Sequence, residues 1–208
     1  VAAARFLTLQ FKYRIPYFLE NGRVDHFNHT LPYADGEGRY YHEGLYLSES
    51  KYADIEKSVA GPMMWGGRIM EYSTKSGKMP NGLDCSGFIS WCLLNGGCDF
   101  GDLGAGPNQG WPVLVDNGVS QKITMDLLNS HKVRAGDLIG QDGHIGIIIG
   151  VTDEDIYVAD TYYRVKGAVA TKYTYKELVN KSTFTHIYDM SKAYASDGNY
   201  TDMWEESE

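Results

Sequence analysis

At 208 residues and a net charge of −8, the chain has the length of a single domain able to bury a sizeable core. The acidic balance argues against nucleic acid, which needs a basic footprint, and against tight electrostatic binding to anionic polymers. No stretch approaches the roughly 18 consecutive apolar residues of a membrane helix, and 24 glycines with 16 tyrosines suit a loop-rich, β-containing fold.

In chain order, residues 1–18 carry Phe6, Leu7, Leu9 and Phe11 in an amphipathic pattern. This predicts a helix that ends at Ile15-Pro16, because proline disfavours helix in the residue before it. Residues 21–46 are turn-rich and gather Asp25, His26, His29, Asp35 and His42. No spacing among them matches a zinc pattern, so neither metal nor cofactor is expected. This stretch reads as an insertion forming one wall of a substrate cleft.

The next strong signal is Asp84-Cys85-Ser86-Gly87-Phe88. Cys85, Phe88, Ile89 and Cys92 fall at i, i+3, i+4 and i+7, a buried helical stripe. Asp84 is a good N-cap and Gly96-Gly97 a stop, predicting a helix over 85–97. Cys85 then lies on the first turn, where unpaired N–H groups and the helix dipole favour thiolate.

Farther on, residues 133–140 read as a Gly-Asp turn into a short strand, and 142–151 as a β-branched strand with His144 at its mouth. Ile145, Ile147 and Ile149 point to one face, and His144, Gly146 and Ile148 to the other. Glycines around Ile145 allow another segment to approach that strand closely. A third strand covers 156–161, with Ile156, Val158 and Asp160 on one side. A helix-start cysteine and a strand-start histidine are the two parts of a thiol nucleophile and its base. Asp160, ending an adjacent strand, is placed to accept the imidazole N–H and fix its tautomer, or it is an ordinary strand-end aspartate. The acidic residues Asp202, Glu205, Glu206 and Glu208 mark a solvated tail.

The order Leu-Asp-Cys-Ser-Gly-Phe-Ile-Ser-Trp, Arg-Ala-Gly-Asp-Leu and Gly-His-Ile-Gly-Ile-Ile-Ile-Gly resembles the NlpC family of papain-like bacterial cysteine peptidases, which act on peptidoglycan stem peptides. The resemblance runs from about Gly82 to Asp160. It implies an α+β fold, with a helix carrying the nucleophilic cysteine packed on a curved antiparallel sheet carrying the histidine. By matching position Cys85 is nucleophile, His144 base and Asp160 the third polar residue, while Asp84 and Ser86 match cleft-lining positions. The implied activity is endopeptidase cleavage of a γ-D-glutamyl–diamino acid bond by a monomer that is secreted or held at the cell wall. The chain opens at Val1 without an export signal, as expected of a trimmed or mature form.

The family also carries a Pro-Tyr-x-Trp/Tyr-Gly-Gly segment whose tyrosine helps arrange the site. Two segments compete for it here. Residues 61–67 have Trp65 and both glycines but Met63 in place of tyrosine, and residues 15–22 have Tyr17 but no tryptophan. One domain is expected over 1–208, with 1–80 as N-terminal helix and cleft loops, 81–192 as papain-like core and 193–208 as acidic tail. Cys92 and Cys98 lie near enough in sequence to pair, although an apolar-face cysteine is commonly packed as a small hydrophobe. The rival readings are a CHAP-type amidase, another amide hydrolase or acyltransferase using the same Cys/His pair, and a catalytically silent wall-binding module.

Overall fold

The computed structural model describes residues 1–17, 45, 47, 82–98, 104–105, 120–165 and 167–194. Among them is a six-stranded antiparallel sheet with helices on both faces, an α+β arrangement. The strands are β1 (Ser120–Lys122), β2 (Leu138–Gln141), β3 (His144–Val151), β4 (Asp155–Tyr162), β5 (Gly167–Thr174) and β6 (His186–Tyr188), in spatial order β1-β6-β2-β3-β4-β5. The helices are α1 (Ala2–Arg5), α2 (Cys85–Leu94), α3 (Met125–Asn129) and α4 (Tyr175–Asn180). None is long and apolar enough to cross a membrane.

The isoleucine run of β3 is unbroken because both faces of the sheet are covered. Ile145, Ile147 and Ile149 join Phe88, Ile89 and Cys92 of α2 in one core cluster. Ile148 faces the other way and packs with Ile139, Ile156, Val158, Leu128 of α3 and Leu178 of α4. The stripe expected on α2 is therefore only part of its buried surface: nine of its ten residues are buried. Its start is as expected, with the Asp84 carboxylate accepting from Gly87 N–H at 2.7 Å. After Leu94 the chain turns, and Gly97 takes φ +83°, the left-handed conformation that glycine adopts at no steric cost.

The N-terminal helix is shorter than the sequence predicts. α1 runs on as a π-helical turn, Phe6–Gln10, and Phe11 is already extended (ψ 134°). Tertiary pairing replaces helix here, because Ile15 O accepts from Ala168 N–H at 2.8 Å and Pro16 O from Leu83 N–H at 3.1 Å. Residues 14–17 thus tie the start of β5 to the strand-like entry of α2. α1 in turn is anchored at a bulge in β3 between Ile148 and Gly150, where Arg5 donates from Nε and Nη2 to the Ile149 carbonyl. A bulge frees one carbonyl from the ladder, and the guanidinium takes it.

The Gly-Asp turn before β2 is a structural staple. Gly136 has φ +107°, and the buried Asp137 carboxylate accepts from Arg134 N–H at 2.8 Å and Met190 N–H at 3.0 Å. Burial raises its pKa, against the pull of those donors. One side chain thereby fastens both ends of the β2–β6 segment.

Candidate active site

Two buried polar side chains, His144 and Asp160, meet at the end of the sheet where β3 begins and β4 ends, and the buried Cys85 thiol reaches the backbone just ahead of β3. Cys85 comes from the α2 face, while His144 and Asp160 share the face of Val158 and Ile156, as the alternation predicts. His144 Nε2 lies 2.6 Å from Asp160 Oδ2. In the tautomer with the proton on Nε2 this is a hydrogen bond donated to the carboxylate, with the lone pair on Nδ1. Gly146 makes the contact geometrically available. A Cβ there would lie 3.0 Å from Val158 Cγ1, 3.1 Å from Ala159 O and 3.2 Å from Asp160 Cβ. The close approach expected around Ile145 is therefore that of Asp160 and its strand at Gly146. Gly143 serves a turn instead, at φ +74°.

Aromatic rings hold the imidazole. Phe184 stacks on it, with centroids 5.6 Å apart at 22°, and Tyr162 lies 4.7 Å away. Neither was anticipated. Tyr162 was within reach of sequence reasoning, since it follows Asp160 on the strand alternation. Phe184 sits in the approach to β6 and carries no local signal.

The sulfur's environment differs from expectation. Cys85 Sγ hydrogen-bonds to the Gly143 carbonyl at 3.9 Å, one residue before His144. Among the described residues, no hydrogen bond links it to the imidazole. Burial pushes the thiol pKa up to about 12, and the neighbouring Asp84 carboxylate pushes the same way. The backbone N–H groups of Ile145, Ser86 and Cys85 lower it but do not prevail. The helix start was expected to make a thiolate, and this is a correction. The donors are there, but removing a charge from water costs more than they return, and the N-cap that builds the helix adds a like charge.

Asp84 and Ser86 are almost fully buried and serve the helix start, Ser86 Oγ donating to Asp84 Oδ1 at 3.2 Å. Tyr17 is buried, bridged to Leu83 two residues before Cys85, with its ring edge-on to Tyr163 at 6.4 Å. Trp65, Met63 and the residues 21–44 expected to wall the cleft lie outside the described residues. Cys92 and Cys98 are not paired: all three cysteines are free, Cys92 fully packed inside α2 as a small hydrophobe.

The arrangement brings together the residue types of nucleophilic acyl transfer: an imidazole against a carboxylate, and a thiol on the carbonyl one residue before that imidazole. No family model, curated protein or solved structure matches the chain.

Proposed function

We propose that this protein is a papain-like cysteine hydrolase of the NlpC type, cleaving an amide bond in peptidoglycan stem peptides at the cell wall. The observation that carries the reading is the 2.6 Å His144–Asp160 contact set beside the buried helix-start thiol of Cys85. A general base needs its tautomer fixed, and a carboxylate at this distance does that. The resemblance to the NlpC family implies the substrate class, a γ-D-glutamyl–diamino acid bond.

In the reaction so read, Nδ1 of His144 takes the Cys85 proton as substrate enters. The sulfur attacks the amide carbonyl, and the oxyanion is received by backbone N–H groups at the start of α2, that of Cys85 among them. The imidazolium then protonates the leaving amine, giving a thioester. Water, deprotonated by the same imidazole, releases the acid and regenerates the thiol. Asp160 keeps Nε2–H oriented throughout and stabilises the transient positive charge.

The raised thiol pKa favours a second reading, a silent binding module that keeps the fold. Incubation with purified muropeptides, followed by mass spectrometry of the fragments, separates the two. New termini at the glutamyl–diamino acid bond, absent with Cys85→Ala, support the hydrolase. Saturable binding with all fragments intact overturns it.

A further inference from the structure

The turn joining β4 to β5 comes directly off the site. β4 ends at Tyr162, against the His144 ring, and β5 starts at Gly167 opposite it in the ladder. Between them Tyr163–Val165 form one tight 3-10 turn. Tyr163 and Val165 are among the few large apolar side chains exposed in the described residues, 44% and 38%, and Arg164 between them is exposed as well.

Arg164 is nevertheless held in one direction. Its guanidinium carbon lies 5.9 Å from the Tyr162 ring centre and 5.7 Å from that of Tyr163, within cation–π range. Its Nε donates to Tyr163 Oη at 3.0 Å. Tyr163 is itself braced, edge-on to Tyr162 at 4.9 Å and to the buried Tyr17 at 6.4 Å. Among the described residues no carboxylate pairs with Arg164. With Nε occupied, the two Nη groups form the edge that matches a carboxylate in bidentate fashion. A surface arginine with no task samples many rotamers; this one contacts two rings, one of which lies against the imidazole.

We propose that Arg164, clamped by Tyr162 and Tyr163, binds a carboxylate of the substrate flanking the scissile amide and so selects acidic peptides. The inference rests on the function proposed above and deepens it. A glutamyl residue linked through its γ-carbonyl necessarily keeps its α-carboxyl off the chain, two methylenes and one carbon from the bond attacked. A diamino acid carrying a second carboxyl offers the same chemistry on the other side. Amidation of either group removes the charge while leaving the shape.

The test measures binding of the Cys85→Ala protein to a synthetic stem tripeptide, L-Ala-γ-D-Glu-diaminopimelate, by calorimetry. Two further peptides carry a carboxamide at the glutamyl α-carboxyl or at the distal diamino-acid carboxyl. With Arg164 present, one amidation should weaken binding about tenfold, as expected for a charge-assisted hydrogen bond lost to a neutral one, and identifies which carboxylate is read. Adding Arg164→Ala should bring that ratio close to one, and Arg164→Lys should restore part of it. A turn that merely shaped the cleft would weaken all three peptides alike and keep the ratio. An unchanged ratio in Arg164→Ala overturns the inference even if the wild-type protein cuts the peptides. Discrimination that depends on Arg164, in a wild-type protein that cuts none of them, leaves the inference standing and removes the proposed hydrolysis. Absence of binding by every peptide overturns both.

Discussion

The two faces of the sheet treat their ionisable groups in opposite ways. On the α2 face the thiol of Cys85 is buried among apolar side chains with an aspartate behind it, and its proton is held. On the other face His144 is equally buried, yet it has a carboxylate at 2.6 Å and two aromatic rings to fix its plane. Burial is the same, so the difference lies in the partner. A buried thiol with no counter-charge is driven toward its neutral form, whereas the imidazole has a carboxylate in hydrogen-bond contact. The imidazole is thus oriented by a carboxylate, while the thiol is bonded to the Gly143 carbonyl.

The largest expected effect removes the nucleophile: Cys85→Ala abolishes hydrolysis of stem peptides, while Cys92→Ala, on the same helix and equally buried, keeps turnover. Measured side by side on muropeptides, an active Cys85→Ala protein ends the assignment. Next comes the base's partner. Asp160→Asn keeps the shape but cannot stabilise an imidazolium, and the turnover number should fall about 10²-fold, less than the ~10⁴ known for serine enzymes because a thiol is a better nucleophile at its own pKa. Near-normal turnover would mean that Phe184 and Tyr162 alone orient the ring.

Gly146→Ala tests the same face sterically. Its methyl would press on the Ala159 carbonyl and Asp160 Cβ, backbone and near-backbone atoms that yield little. A stability loss of about 1–3 kcal/mol in denaturant titration should accompany partial loss of turnover, and unchanged melting would show that β4 moves freely.

The smallest effects are in pH dependence. With folded thiols at about 12 for Cys85 and Cys92 against an ordinary 9.0, the unfolded chain ionises first as pH rises. Their contribution to stability is therefore complete below about pH 9 and declines as pH climbs from 9 toward 12. In the free protein, iodoacetamide should label the half-buried Cys98 first, and Cys85 should accelerate only above pH 9. A Cys85 rate already at plateau below pH 7 would reveal a resting thiolate–imidazolium pair and erase the contrast between the faces.

Local signals were sufficient for the helix start, the three central strands and the side-chain alternation. Asp84, Gly97 and the isoleucines of β3 act through backbone rules that reach only a few residues. The same rules put Asp160 and His144 on one face, because alternation along adjacent strands has no freedom once the strands pair. What required tertiary structure was everything set by distant segments. The helix at the N-terminus stopped at Gln10 because Ile15 and Pro16 found partners at Ala168 and Leu83. α2 lost its amphipathic character because a second layer covered it. Phe184 reached the imidazole from 40 residues away in the chain. Above all, the upward shift of the Cys85 thiol was beyond sequence reasoning. A helix N-terminus is a local fact, but desolvation is summed over every atom packed around the sulfur, and only the assembled fold decides that sum.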